Sequence, residues 1–64
     1  MTADEISALL RELQDECGYS QDVALRFMEG PQIWLRGRAP VNCDYFEVTN
    51  LIDQVRSGII YLYL

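Results

Sequence analysis

Val23-Ala24-Leu25-Arg26-Phe27-Met28-Glu29-Gly30-Pro31-Gln32-Ile33-Trp34-Leu35-Arg36-Gly37-Arg38 is the stretch whose reading decides the fold. In residues 23–28, Val23, Leu25 and Phe27 alternate with Ala24, Arg26 and Met28, the two-residue repeat of a half-buried strand. Glu29-Gly30-Pro31 then reads as a chain reversal, and residues 32–38 as a second strand. On that strand Ile33 and Leu35 share one face, while Gln32, Trp34, Arg36 and Arg38 share the other. Gly37 is a plausible site for a bulge. A two-stranded sheet is barely stable alone in water, so Val23, Leu25, Phe27, Ile33 and Leu35 are expected to pack against helices.

The segments on either side supply those helices. Thr2 followed three residues later by Glu5 has the form of a capping box, in which hydroxyl and carboxylate satisfy otherwise unpaired N–H groups of the first turn. Ile6, Leu9, Leu10, Leu13 and Cys17 continue from it as an apolar stripe at helical spacing, and Gly18 is the natural stop. Residues 19–22 read as a loop. After Ala39-Pro40-Val41-Asn42, Asp44 and Glu47 suggest a second helix start. Val48, Ile52, Val55, Ile59 and Leu62, supported by Tyr45 and Leu51, mark a core face that Ser57-Gly58 interrupts. The expectation is an α+β domain of order helix, β-hairpin, helix, helix (αββαα), with closing helices over 45–56 and 59–64; a strand is the alternative for 59–64.

Composition sets the limits. A chain of 64 residues is one domain, too small to wrap a deep active site, and at this size marginal stability is expected. Half of its residues are apolar, as in folded globular chains. The longest apolar run, 59–64, is far short of the roughly 20 residues of a membrane span, and no signal peptide is recognisable at the N-terminus, so a cytoplasmic location is expected. With no histidine and only Cys17 and Cys43 as thiols, the usual zinc spacings cannot be assembled. No cofactor is expected. Two reduced, packing cysteines are the favoured reading, with a Cys17–Cys43 disulfide left open. Neither cysteine nor any carboxylate has a base at helix-face or strand-neighbour spacing, so catalysis is the least favoured class.

Charge points instead to binding. The net charge is −5, yet residues 23–38 hold three of the five arginines and carry +2, against −7 for the rest. An acidic body with one cationic hairpin suits strand addition by an acidic peptide along the exposed sheet edge.

The order of elements and three stretches of sequence resemble the N-terminal β-hairpin docking domains, of the tubulysin type, of nonribosomal peptide synthetases and synthetase–polyketide synthase hybrids. The likeness is carried by Met1-Thr2-Ala3-Asp4-Glu5-Ile6-Ser7-Ala8-Leu9-Leu10-Arg11-Glu12-Leu13, by Leu25-Arg26-Phe27-Met28-Glu29-Gly30 and by Arg36-Gly37-Arg38-Ala39-Pro40, with residues 51–64 similar to the family's closing helices. The resemblance implies a docking domain over 1–64, cut from the front of a larger synthetase subunit. It would capture the C-terminal acidic tail of the upstream subunit by strand addition, with Gln32, Ile33, Trp34, Leu35, Arg36 and Arg38 as the docking edge and Arg26 across the strand pair. A homodimer covering Tyr61 and Tyr63 is the other explanation for the apolar end.

Two further classes remain. Leu9 to Gln21, with Cys17-Gly18-Tyr19-Ser20-Gln21, looks like the opening of a helix-turn-helix, and Ile33 to Pro40 like the end of its recognition helix. The spacing is about four residues short of two helices and their turn, and the net negative charge opposes phosphate binding. An acidic phage-type inhibitor that mimics nucleic acid or blocks an enzyme is compatible with the first helix, although no residue demands it.

Overall fold

The computed structural model describes residues 1–58, and over them the chain is helical, not α+β. Three α-helices, α1 (Ala3–Asp15), α2 (Gln21–Glu29) and α3 (Tyr45–Arg56), are joined by a short turn and by a long connection holding two single 3-10 turns, Ile33–Leu35 and Pro40–Asn42. The expected hairpin is absent: among the described residues the sole extended pairing is an isolated antiparallel bridge between Gln32 and Arg38. The helix or strand anticipated over 59–64 lies outside the described residues.

The first helix begins as its sequence implies. Thr2 Oγ1 accepts the Glu5 N–H at 3.2 Å and Glu5 Oε1 accepts the Thr2 N–H at 2.8 Å, so both halves of the capping box are formed. Its stripe delivers Leu9 and Leu13 to the interior, with Ile6, Leu10 and Cys17 packed at its margin. Gly18 adopts φ +75°, a left-handed conformation that costs glycine no side-chain clash, and the Tyr19 N–H turns back to the Leu13 carbonyl at 3.1 Å.

The expected first strand is α2. Ser20 caps this helix by accepting the Val23 N–H at 3.3 Å, and Asp22 adds negative charge in the first turn, where the helix dipole favours it. Ala24, Leu25, Arg26, Met28 and Glu29 are all strong helix formers. Burial follows the helical period, with Ala24, Phe27 and Met28 in the core and Val23 and Leu25 half-buried. A run this short satisfies both periods, and the cap decides between them.

Gly30-Pro31 ends α2 and does not form a hairpin turn. Proline disfavours helical backbone in the residue before it, and Gly30 is extended (φ −93°, ψ 155°). A Cβ on Gly30 would come within 2.8 Å of the Arg26 carbonyl, so glycine is required there by space alone.

Beyond Pro31, residues 32–38 form a closed loop tied to one residue. The Gln32 N–H donates to the Arg38 carbonyl at 3.2 Å, and the Gln32 carbonyl accepts from Leu35 at 3.0 Å and Gly37 at 2.9 Å. Its side-chain Nε2 donates to the Phe27 carbonyl at 3.2 Å, near the C-terminus of α2. Arg36 (φ 59°) and Gly37 (φ +80°) are successive left-handed residues that reverse the chain, so no continuous strand runs through 32–38. The expected faces hold for Leu35, which is buried, and for Trp34, Arg36 and Arg38, which are exposed, and fail at two positions: Gln32 is buried at 4%, whereas Ile33, assigned to the core, is 72% exposed.

The third helix matches its expected span. Asp44 occupies the cap position by its backbone, although its side chain makes no capping bond. Val48, Leu51 and Ile52 close the core with Leu9, Leu13, Ala24, Phe27, Met28, Leu35 and Cys43. α1 packs against both α2 and α3, and α2 also packs on the Pro40–Asn42 turn, where Pro40 is buried.

Replacing Gln32 by leucine keeps the bulk but leaves the Phe27 carbonyl without its side-chain partner. We expect urea unfolding of the Gln32→Leu variant to give a loss of about 1–3 kcal/mol, the cost of orphaning a buried polar group. An unchanged midpoint would show that this bond contributes nothing.

Candidate functional site

The 32–38 loop lies against α3. Trp34 and Leu35 form one wall of a shallow groove of about 290 Å³, and Glu47, Asn50, Leu51 and Gln54 form the other. The spacing of the α3 residues follows from helix geometry, since positions three and four apart lie on one face. Ile33 precedes Trp34, and Phe46 precedes Glu47. The described residues with large, well-exposed apolar side chains, Ile33 (72%), Trp34 (48%) and Phe46 (72%), are therefore carried on the two segments that wall this groove. Phe46 also makes an edge-on contact with Tyr45, ring centroids 5.9 Å apart.

Two cations are carried on the same loop. Arg38 is bound on its own chain: Nη2 donates to Glu47 Oε2 at 2.7 Å, and Nε donates to the Leu35 carbonyl at 3.0 Å. The Glu47 hydrogen bond, with Cys43 and the Glu47 charge as further causes, raises the Arg38 pKa above its ordinary value. Arg36 is exposed and makes no ion pair among the described residues.

The structure thus separates the six residues that the sequence grouped on one docking edge, and Arg26 that it placed across the strand pair. Ile33, Trp34, Arg36 and Arg38 remain together on the exposed loop. Leu35 points into the core at 5% exposure, and Gln32 is an internal strut, not an edge donor. Arg26 lies on α2 beside a different hollow, with Leu25, Glu29 and Gly30. Sequence reasoning missed Glu47, Asn50 and Gln54, whose i, i+3, i+7 spacing on a helix was the available signal. It also missed Phe46, an exposed aromatic on the same helix.

Other features have less shape to offer. The hollow between α1 and the end of α3, about 380 Å³, is lined by Ala8, Arg11, Glu12, Asp15, Glu16 and Arg56 and is wide open. Both cysteines are free thiols: Cys43 is buried, its S–H donating to the Ala39 carbonyl at 3.4 Å, and Cys17 is partly exposed. No α-helix covers the segment from Ile33 to Pro40 that a helix-turn-helix would need for recognition. Among the described residues, no cluster of acids and thiols is arranged to hold a metal ion, and no helix is long and apolar enough to cross a membrane.

No protein-family model matches this sequence, and comparison with curated proteins and with solved structures returns no similar chain. The hairpin that the docking-domain resemblance implied is the part of that expectation that the fold overturns.

The Cys17 thiol gives a titration test of the α1–α3 contact. Burial is the main cause that pushes its pKa above the ordinary value of 9.0, and Glu12 is next; Arg56 opposes, while Glu16 and Asp53 add to the rise. A folded chain that holds this proton more tightly than the unfolded one keeps the associated stability below the ordinary value and loses it as pH rises through the folded value. Iodoacetamide should therefore alkylate native Cys17 with a pH–rate midpoint above that of the urea-unfolded protein. A midpoint at or below the unfolded one would contradict this packing.

Proposed function

We propose that the chain is a non-catalytic docking module that takes a short acidic segment of another protein, carrying apolar side chains, into the groove between the 32–38 loop and α3. The observation that carries this reading is the coincidence of Ile33, Trp34 and Phe46 with a cationic rim on a body of net charge −5. Aromatic and arginine side chains are the types that most often dominate binding energy at interfaces. Arg36 is paired with no acid among the described residues, so an incoming carboxylate can form a charge-assisted bond there.

The mechanism differs from the one that the resemblance implies. Strand addition needs a continuous row of backbone donors and acceptors, and the N–H groups of Gln32, Leu35, Arg36, Gly37 and Arg38 are spent within the loop. Affinity must come from side chains seated in the groove, with charge at the rim setting preference and encounter rate. That the segment is the tail of an upstream synthetase subunit rests on the sequence resemblance alone.

A fluorescein-labelled peptide of alternating aspartate and leucine is a suitable probe. Fluorescence anisotropy should show that Trp34→Ala weakens binding by about tenfold or more. Arg36→Glu should weaken it strongly at low salt and less at high salt, because exposed charges are screened. If the wild-type protein does not bind the probe, or if both variants bind as it does, the groove is not the docking site.

A further inference from the structure

Glu47 holds two positions at once. It lines the groove with Trp34, and it holds the Arg38 guanidinium at 2.7 Å. We infer that Glu47 is a built-in competitor for the partner's carboxylate, so that Arg38 becomes available to the docked segment only when Glu47 is displaced. This inference rests on the docking reading and adds to it an intramolecular contact that limits affinity.

The reasoning is one of exchange. A carboxylate arriving at Arg36 forms a new ion pair, because no acid there must leave. A carboxylate arriving at Arg38 must break one Arg–carboxylate bond to make another of the same kind, so the net gain is close to nothing. The displaced Glu47 also stays in the groove wall, where its charge repels the incoming acid. Both partners of the existing pair are about half exposed, at 47% and 43%, so the exchange requires no unfolding of the core. Two arginines that look equivalent in sequence therefore have different roles: Arg36 recruits, and Arg38 is held in reserve.

A double-mutant cycle with the same aspartate–leucine peptide tests this. Glu47→Gln should tighten binding by about two- to fivefold, the range that exposed ion pairs supply. In an Arg38→Gln background the same substitution should tighten binding by less, since it then relieves only the repulsion from Glu47, and Arg38→Gln alone should weaken binding by leaving that charge unneutralised. Melting curves identify any variant whose fold is disturbed, and Glu47→Ala provides a second neutral replacement. Binding by the Glu47→Gln protein alone, with none by wild type, would overturn the docking reading on which the inference rests. Wild-type binding that Glu47→Gln and Glu47→Ala leave unchanged, or tightening that is as large without Arg38 as with it, would overturn the inference while leaving the docking reading intact. Absence of binding by every variant would overturn both.

Discussion

Gln32 is the constraint on which the rest of the molecule depends. Its main chain closes the 32–38 loop through bonds to Leu35, Gly37 and Arg38, and its side chain ties that loop to the last turn of α2. A buried polar residue is tolerated only when its groups are paired, and here those bonds dictate local shape. Leu35 is directed into the core, while Ile33, Trp34 and Arg36 face outward. The groove against α3 exists because the loop is held in that form.

Some of this architecture was legible in the sequence. α1 and α3 could be read because cap positions and long apolar stripes agreed, and agreement between local signals is what makes an assignment secure. α2 could not be read from its period, since residues 23–28 fit alternation and helical spacing alike. Ser20 is the start signal that the two-residue period obscures, and Gly30-Pro31 suits a helix end as well as a reversal between strands. A strand at 23–28 needs a partner, so the expectation of a strand over 32–38 depends on the first. Alternation there put Gln32 outside and Ile33 inside, the reverse of the structure. Of the candidate site, the exposed loop with Trp34, Arg36 and Arg38 could be found, but its α3 wall could not, because the helical spacing of Glu47, Asn50 and Gln54 marks a shared face without saying which loop packs beside it.

The size of the chain shapes how such a surface can work. A small domain cannot cover all its apolar side chains, and a lone exposed residue such as Ile33 needs no functional explanation. The groove differs because exposed Trp34 lines it together with Glu47, whose carboxylate holds the Arg38 guanidinium, and the exposed Ile33 and Phe46 are carried on the same two segments. In the docking mode proposed above, recognition by a few side chains over a small area would be weak and reversible, and the Arg38–Glu47 pair would limit it further by holding one of the cations back.

The measurement that bears most directly on this account is backbone NMR of the intact chain. Helical Cα shifts over 21–29, left-handed values at Arg36 and Gly37, and slowed exchange of the Gln32 and Gly37 amides are predicted. Extended shifts over 23–28 with cross-strand proton contacts to 32–38 would contradict the closed loop, and with it the groove that the loop creates.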